Sequence, residues 1–266
     1  MQFTVGSVPY VNARPLVGQF RHLGDQSPVR VIYKFPSELP ALIDAGEVQA
    51  ALVSSFDALR SPGRKVGGGC VSTFGEAQSV RLFSRVPFDQ IRSLALDKSS
   101  LTSIHLAQVV LAESYGLKPE TRSLAPDLDS MLSACDAAVI IGDKGMLARA
   151  DGLHVLDLGS AWASLTSLPF VWAAWIGGEA FDEELAGLLE EANAWGQEHL
   201  DEVIEDTQRE VHWPGDSCRR YLAEIMNYNL TDRHLDGLWK FQELLVKNGL
   251  LEQSEFPEVV RATARA

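Results

Sequence analysis

Four stretches of the chain gather polar side chains at spacings that chemistry could use. "DKSSLTS" (Asp97–Ser103) carries Ser99, Ser100, Thr102 and Ser103 at the start of a helical pattern. A carboxylate placed there would receive hydroxyl and backbone N–H hydrogen bonds together with the favourable end of the helix dipole. The same residues could serve only as caps, although a cap needs one hydroxyl and leaves three spare. "VSSFDAL" (Val53–Leu59) repeats the arrangement, with Ser54 and Ser55 between an apolar run and a short helical pattern. "IIGDKG" ends an apolar run in Gly142 and Asp143. The glycine permits close backbone approach, and the carboxylate either orients a hydroxyl or caps the following helix. In "GSVPYVNARP" (Gly6–Pro15), Asn12 can both donate and accept, on a loop that Pro9 stiffens. An ordinary turn residue is the alternative reading of Asn12. Tyr10 and Trp172 could flank a planar ligand or pack in a core. Arg14 and Arg81 could grip a carboxylate bidentately or lie on the surface.

Loops of this kind need strands and helices to aim them. "FTVGSV" (Phe3–Val8), "VRVIYKF" (Val29–Phe35) and "AALVSS" (Ala50–Ser55) read as strands separated by helical patterns, the second of them capped by Ser37. Such alternation predicts a parallel sheet covered on its faces. A second set follows: "SLALD" (Ser93–Asp97), a helix with Ile104, Ala107, Val110 and Leu111 on one face, and "AAVII" (Ala137–Ile141). "SVRLFSRV" (Ser79–Val86) alternates like a crossing strand, and its first residue, Ser79, joins the candidate binding hydroxyls. "LTSLPFVWAAWIGG" (Leu165–Gly178) is again strand-like. Beyond it the pattern is helical, with one stripe over Phe181–Trp195, another over Tyr221–Met226, and a capped helix over Thr231–Gly249 turning Leu235, Leu238, Trp239 and Leu245 inward. "GGGC" (Gly67–Cys70) lacks phosphate-loop spacing and reads as a flexible connection. The predicted architecture is α/β with two lobes: 1–83 with 174–266, and an inserted lobe 84–173. Ligands of open α/β sheets bind outside the carboxyl ends of the strands, so the candidate loops are expected to line a cleft between lobes.

Composition removes several function classes. With 266 residues and 46% apolar content the chain can bury a full core. A net charge of −13 leaves little basic surface for phosphate neutralisation, so nucleic acid is not an expected partner. Much of the acid falls in Asp182–Glu210, where it reads as a solvated helix face. Cys70, Cys135 and Cys218 are widely separated, which indicates neither a disulfide framework nor a zinc site. The six histidines are scattered, and HExxH, GxSxG and the phosphate-loop motifs do not occur. "MQFTVGSVPY" lacks the marks of a secretory signal and no apolar run reaches membrane-spanning length, so a cytoplasmic location without membrane insertion is expected.

Taken in order, "VGSVPYVNARPL", "FPSELPALIDAGEVQAALVSS", "SVRLFSR", "LALDKSSLTSIHLAQVVL", "AVIIGDKGML", "LDLGSAWASLTSLPFVWAAW" and "YLAEIMNYNLTDRHLDGLWKFQELLVKNGLL" resemble the chorismate dehydratase family of the futalosine route to menaquinone. The resemblance spans most of the chain. It implies a two-lobed periplasmic-binding-protein-like fold (type II) with the ligand cleft between the lobes. It also implies dehydration of chorismate, a small dianion, to 3-[(1-carboxyvinyl)oxy]benzoate, with no metal and no organic cofactor. The family's proline–tyrosine–leucine–asparagine segment falls on Pro9, Tyr10, Val11 and Asn12, its serine–threonine–serine loop on Ser100, Thr102 and Ser103, and its isoleucine–glycine–aspartate turn on Ile141, Gly142 and Asp143. Asn12 and Asp143 are the catalytic candidates. The chain departs from the family at Leu101, Ser54 and Ser167, where arginine, proline and glycine are common. Two further readings are an intracellular small-anion binding protein and 1,4-dihydroxy-6-naphthoate synthase. The latter family resembles "SPCPNDTF" near its start, where this chain has "VPYVNARP".

Overall fold

The computed structural model describes residues 2–210, 215–253 and 255–262. From the N-terminus come β1 (Phe3–Ser7), α1 (Arg14–Leu23), β2 (Val29–Tyr33), α2 (Leu39–Asp44), β3 (Ala50–Ser54), α3 (Ser55–Arg60) and β4 (Lys65–Thr73). Next are β5 (Val80–Ser84), β6 (Ser93–Asp97), α4 (Thr102–Tyr115), β7 (Glu120–Leu124), α5 (Leu128–Ala134), β8 (Ala137–Ile141), α6 (Gly142–Leu147), β9 (His154–Asp157) and α7 (Leu158–Thr166). The chain continues through β10 (Phe170–Gly177), α8 (Glu183–Glu198), α9 (Leu200–Glu210), α10 (Gly215–Arg219), a π-helical turn (Arg220–Ile225), α11 (Asp232–Lys247) and β11 (Glu258–Val259). Two compact units result. The described residues of the first fall within Met1–Ser72, Val171–Leu235 and Ser254–Ala266, those of the second within Thr73–Phe170 and Asp236–Gln253. Among the described residues no helix is long and apolar enough to cross a membrane.

The first unit is built on a sheet of order β11-β4-β10-β3-β1-β2. Ala50–Val53 is buried throughout, the signature of a strand covered on both faces. β1 runs parallel to both β2 and β3, so the chain leaves β1 and β3 along one edge of the sheet. β10 runs antiparallel to β3 with Ala173 opposite Ser54, which brings Trp172 to the same edge. Gly67–Cys70, expected as a flexible connection, instead lies buried within β4. Its glycines are there for close approach. A Cβ on Gly67 would sit 2.4 Å from the Val260 carbonyl oxygen, and one on Gly68 2.6 Å from Leu189 Cβ. Ser37 does not cap α2, which starts at Leu39 after an N-cap Glu38 with no side-chain cap bond. The three cysteines are free thiols and buried, and burial pushes Cys70 up to about 12.

The second unit has a sheet of order β7-β6-β8-β5-β9. β6, β7 and β8 are parallel, while β5 runs antiparallel to β8 and to β9. One edge therefore collects the end of β6, the end of β8, the start of β5 and the end of β9, in that spatial order. Phe83, Ala95, Met131, Ala138 and Ile140 form a core under it. Trp162, Phe170 and Phe241 make a second one, with ring centroids 5.0–6.0 Å apart at steep angles. Two expectations need correcting here. Leu165 and Thr166 end α7, so the strand begins only at Phe170. Trp239 is 54% exposed, and Leu238, Phe241 and Leu245 carry the inward face of α11.

Asp136 ties β6 to β8 in this unit. Its Oδ2 accepts from Arg92 N (3.0 Å), Ser93 N (2.9 Å) and Ser93 Oγ (3.0 Å). The Arg92 amide first, then Ser93 and the nearby Arg85, hold the carboxyl below the usual carboxylate range. A carboxyl depressed by folding contributes stability above its unfolded pKa, near 4, and loses it as pH falls through the folded value. Asp136→Ala is therefore expected to cost about 1–3 kcal/mol at neutral pH. The gap to wild type should shrink in thermal unfolding measured below about pH 4.

Candidate functional site

In the first unit the candidates sit where β1 and β3 end. The chain turns tightly after β1, with Ala13 N donating to Tyr10 O at 3.1 Å, and Ala13 is buried beneath the turn. Pro9 and Tyr10 are exposed and Asn12 is half-buried. Among the described residues the Asn12 amide makes no hydrogen bond, so both its donor and its acceptor are available. Ser54 and Ser55 differ despite their adjacency. Ser55 is fully buried and its Oγ donates to the Val171 carbonyl at 2.5 Å. Ser54 is half-exposed and is the N-cap of α3, accepting from Asp57 N at 3.2 Å while donating to Asp57 Oδ2 at 2.8 Å. Arg14 is engaged by Glu210 at 2.9 Å, and Arg21 pairs with the same carboxylate, which the Arg21 and Arg14 guanidiniums together hold below the usual carboxylate range. A cavity of about 1030 Å³ opens beside this ion pair. Its walls include Tyr10, Tyr33 and Trp195 but none of Asn12, Ser54 or Ser55.

In the second unit Ser79, Ser99, Ser100, Thr102, Ser103, Gly142 and Asp143 all lie along the edge described above, because the register pairs Leu96 with Val139 and Val80 with Ile141. Asp97 shapes the first loop. It is 1% exposed, and its Oδ1 accepts from Ser99 N (2.9 Å) and Ser99 Oγ (2.5 Å). Its Oδ2 is buried with no hydrogen-bond partner among the described residues. Ser100 N closes the turn on Asp97 O at 3.0 Å. The N-cap of α4 is Leu101, which offers no side-chain acceptor. The hydroxyls of Ser100 and Ser103 are nearly buried yet make no hydrogen bond among the described residues. By contrast α5, α7 and α8 are capped by Asp127, Asp157 and Asp182. The start of α4 thus has no side-chain cap and carries two hydroxyls without a partner among the described residues, an arrangement suited to an anion.

The remaining candidates divide by what already holds them. Gly142 has φ +64° with no atom within 4 Å of a would-be Cβ, so its backbone conformation rather than a close approach calls for glycine. Asp143 is exposed inside the first turn of α6, whose N-cap is Ile141, so it is not a capping residue. Ser79 is buried in a turn that Asp157 anchors by accepting from Ala77 N (3.0 Å) and Gln78 N (2.8 Å). Arg81 donates to the Gly145 carbonyl at 3.0 Å and lies 4.9 Å above the Phe83 ring. Sequence reasoning passed over Asp57, Asp97 and Asp157, the carboxylates that fix these loops. The spacings S-x-x-D at Ser54–Asp57 and D-x-S at Asp97–Ser99 were the available signals. It also passed over His105, whose Nδ1 lies 2.8 Å from Leu101 O and so folds the ring back over the first turn of α4.

Residues 3–247 match the model of a family described as menaquinone biosynthesis. The chain belongs to this family. A chorismate dehydratase of Thermus thermophilus is 30% identical over 268 residues, covering 91% of this chain and 95% of that protein. A crystal structure of an Archaeoglobus fulgidus protein superposes with a TM-score of 0.72 at 16% identity, covering 94% of this chain and 98% of that one. The periplasmic aliphatic sulphonate binding protein SsuA of Escherichia coli gives a TM-score of 0.69 at 14% identity, covering 95% and 89%. The fold is therefore periplasmic-binding-protein-like, the class expected from the sequence. Menaquinone-biosynthesis membership likewise agrees with the resemblance carried by the ordered motifs, and the loops that carry Asn12, Ser100 and Asp143 all lie within the matched residues.

Proposed function

We propose that this protein is a chorismate dehydratase, converting chorismate to 3-[(1-carboxyvinyl)oxy]benzoate and water in the cytoplasm, for menaquinone synthesis by the futalosine route. The observation that carries the reading is the start of α4 without a side-chain cap, beside the nearly buried hydroxyls of Ser100 and Ser103, which have no partner among the described residues. A carboxylate of the substrate takes these donors, with Thr102, Ser79 and the Gly142 backbone beside them. The relative from Thermus thermophilus supplies the reaction.

The elimination removes a ring proton and the hydroxyl of the neighbouring carbon, and the ring becomes aromatic. No electrons are exchanged with a second molecule. The task of the protein is to hold one conformer, keep bulk water away and favour elimination over rearrangement or pyruvate loss. The enolpyruvyl carboxylate of the substrate takes the ring proton. Asn12, whose amide makes no hydrogen bond among the described residues, positions that carboxylate, and a hydroxyl or Asp143 assists the departing water. Mixing purified protein with chorismate should consume it with stoichiometric formation of the aromatic ether, followed by absorbance and chromatography. Binding without turnover would instead make the protein a small-anion receptor and overturn the reading.

A further inference from the structure

Asp97 ends β6 and Thr102 starts α4, so the turn that carries Ser100 begins at a carboxylate. Ser100 N donates to Asp97 O at 3.0 Å, and Ser99 N and Ser99 Oγ donate to Asp97 Oδ1 at 2.9 and 2.5 Å. Among the described residues Asp57 and Asp97 are the two buried carboxylates. Asp57 is offset by Arg60, whose Nη2 lies 2.7 Å from Oδ1. Asp97 has no ion-pair partner among the described residues, and its Oδ2 is enclosed with no hydrogen bond. What remains to offset its charge is the N-terminal end of α4, a helix of 14 residues with no side-chain cap. A ligand carboxylate at Ser100 and Ser103 uses the same end of the same helix. Those two side chains are 6% and 5% exposed and have no partner among the described residues, yet their hydroxyl oxygens are not enclosed as Asp97 Oδ2 is. Nearly buried hydroxyls that open outward without a partner mark a place for an acceptor. Two carboxylates at the start of one helix then share its dipole and repel each other through a weakly screened path.

We propose that Asp97 is a positioning residue that also limits the affinity of this site: its bonds fix the Ser99–Ser100 turn, and its charge weakens the hold of Ser100 and Ser103 on a carboxylate. The inference rests on the chorismate dehydratase reading. Elimination leaves both carboxylates on the product, so groups that bind a carboxylate of the substrate bind the same group of the product. Binding that is equal before and after the reaction does not raise kcat. Extra affinity of this kind is expressed mostly as slower dissociation. An opposing charge built into the turn keeps the product leaving.

The test is isothermal calorimetry of the aromatic product with wild type, Asp97→Asn and Asp97→Ser, beside KM for chorismate and thermal unfolding. Both variants remove the charge and keep an acceptor for Ser99 N, so if one fails to fold the other carries the test. Each should bind product about 3- to 30-fold more tightly and lower KM for chorismate as well, the scale of a like-charge repulsion at an effective dielectric constant of about 20. A residue with only a structural task would give weaker binding and a lower melting temperature. That result, or unchanged affinity, overturns the inference while the dehydratase reading stands. Wild-type protein that neither converts chorismate nor binds the product overturns both.

Discussion

Asn12→Ala is expected to lower kcat for chorismate by about 10²- to 10³-fold, the loss typical of one preorganised polar group at a reacting centre. The side chain makes no hydrogen bond among the described residues, so its removal takes nothing from the fold. Its loop is fixed by other means: the Tyr10–Ala13 turn, buried Ala13 and the Arg14–Glu210 pair. Stability should stay within about 0.5 kcal/mol of wild type, as for substitutions remote from packing and caps. A fall in kcat at unchanged melting temperature separates a chemical role from a structural one. Asn12→Asp sharpens the result, because a carboxylate at this position repels the carboxylate that Asn12 is proposed to place, raising KM as well as lowering kcat. Steady-state kinetics with thermal unfolding of both variants decide the matter. Full turnover by Asn12→Ala would remove Asn12 from the mechanism.

How much of this could be read from residue order depends on whether the deciding partner is close in sequence. The strands over Phe3–Ser7, Val29–Tyr33, Ala50–Ser54, Ser93–Asp97 and Ala137–Ile141 were legible because buried parallel strands are short apolar runs with helices between them. β4 was not, since three glycines have no strand propensity. They are glycine because Val260, Leu189 and Tyr228, all more than a hundred residues away, press against that backbone. β7 escaped for the opposite reason: at the edge of its sheet, Glu120–Ser123 is exposed throughout and shows no alternation to detect. Trp239 was turned the wrong way because a helical stripe fixes a face only to within about one residue of its border, and Gly237 rather than Trp239 approaches the chain at Pro169.

The candidate loops were legible in the same sense, and the state of each hydroxyl was not. Ser54, Ser55, Ser99, Ser100 and Ser103 look alike as letters. In the fold Ser55 is spent on Val171, Ser99 on Asp97 and Ser54 on Asp57, which leaves Ser100 and Ser103 with hydroxyls to give. Asp143 was ambiguous between cap and site residue, and only the position of Ile141 at the start of α6 removes the capping role. The arginines had the same ambiguity. Arg14 and Arg81 are engaged by Glu210 and by the Gly145 carbonyl, so the proposed recognition of a substrate carboxylate leans on neutral donors.

That division makes the double substitution Ser100→Ala with Ser103→Ala the second large effect. A hydrogen bond to a charged group is worth about 1.5–3 kcal/mol, and each 1.4 kcal/mol is tenfold in affinity. Loss of both hydroxyls should therefore raise KM for chorismate by about 10²-fold or more, with the residual binding carried by the first-turn N–H groups and the dipole of α4. Product, which keeps both carboxylates, should weaken in parallel. The fold has little to lose, since neither hydroxyl has a partner among the described residues and the N-cap of α4 is Leu101. The single variants distinguish a shared carboxylate from two separate contacts. Energies that add within about 0.5 kcal/mol mean independent bonds, and a larger discrepancy means both hydroxyls grip one group. Isothermal calorimetry with the aromatic product measures all four proteins without turnover. Unchanged affinity in the double variant would place the carboxylate elsewhere and leave the first turn of α4 without a ligand.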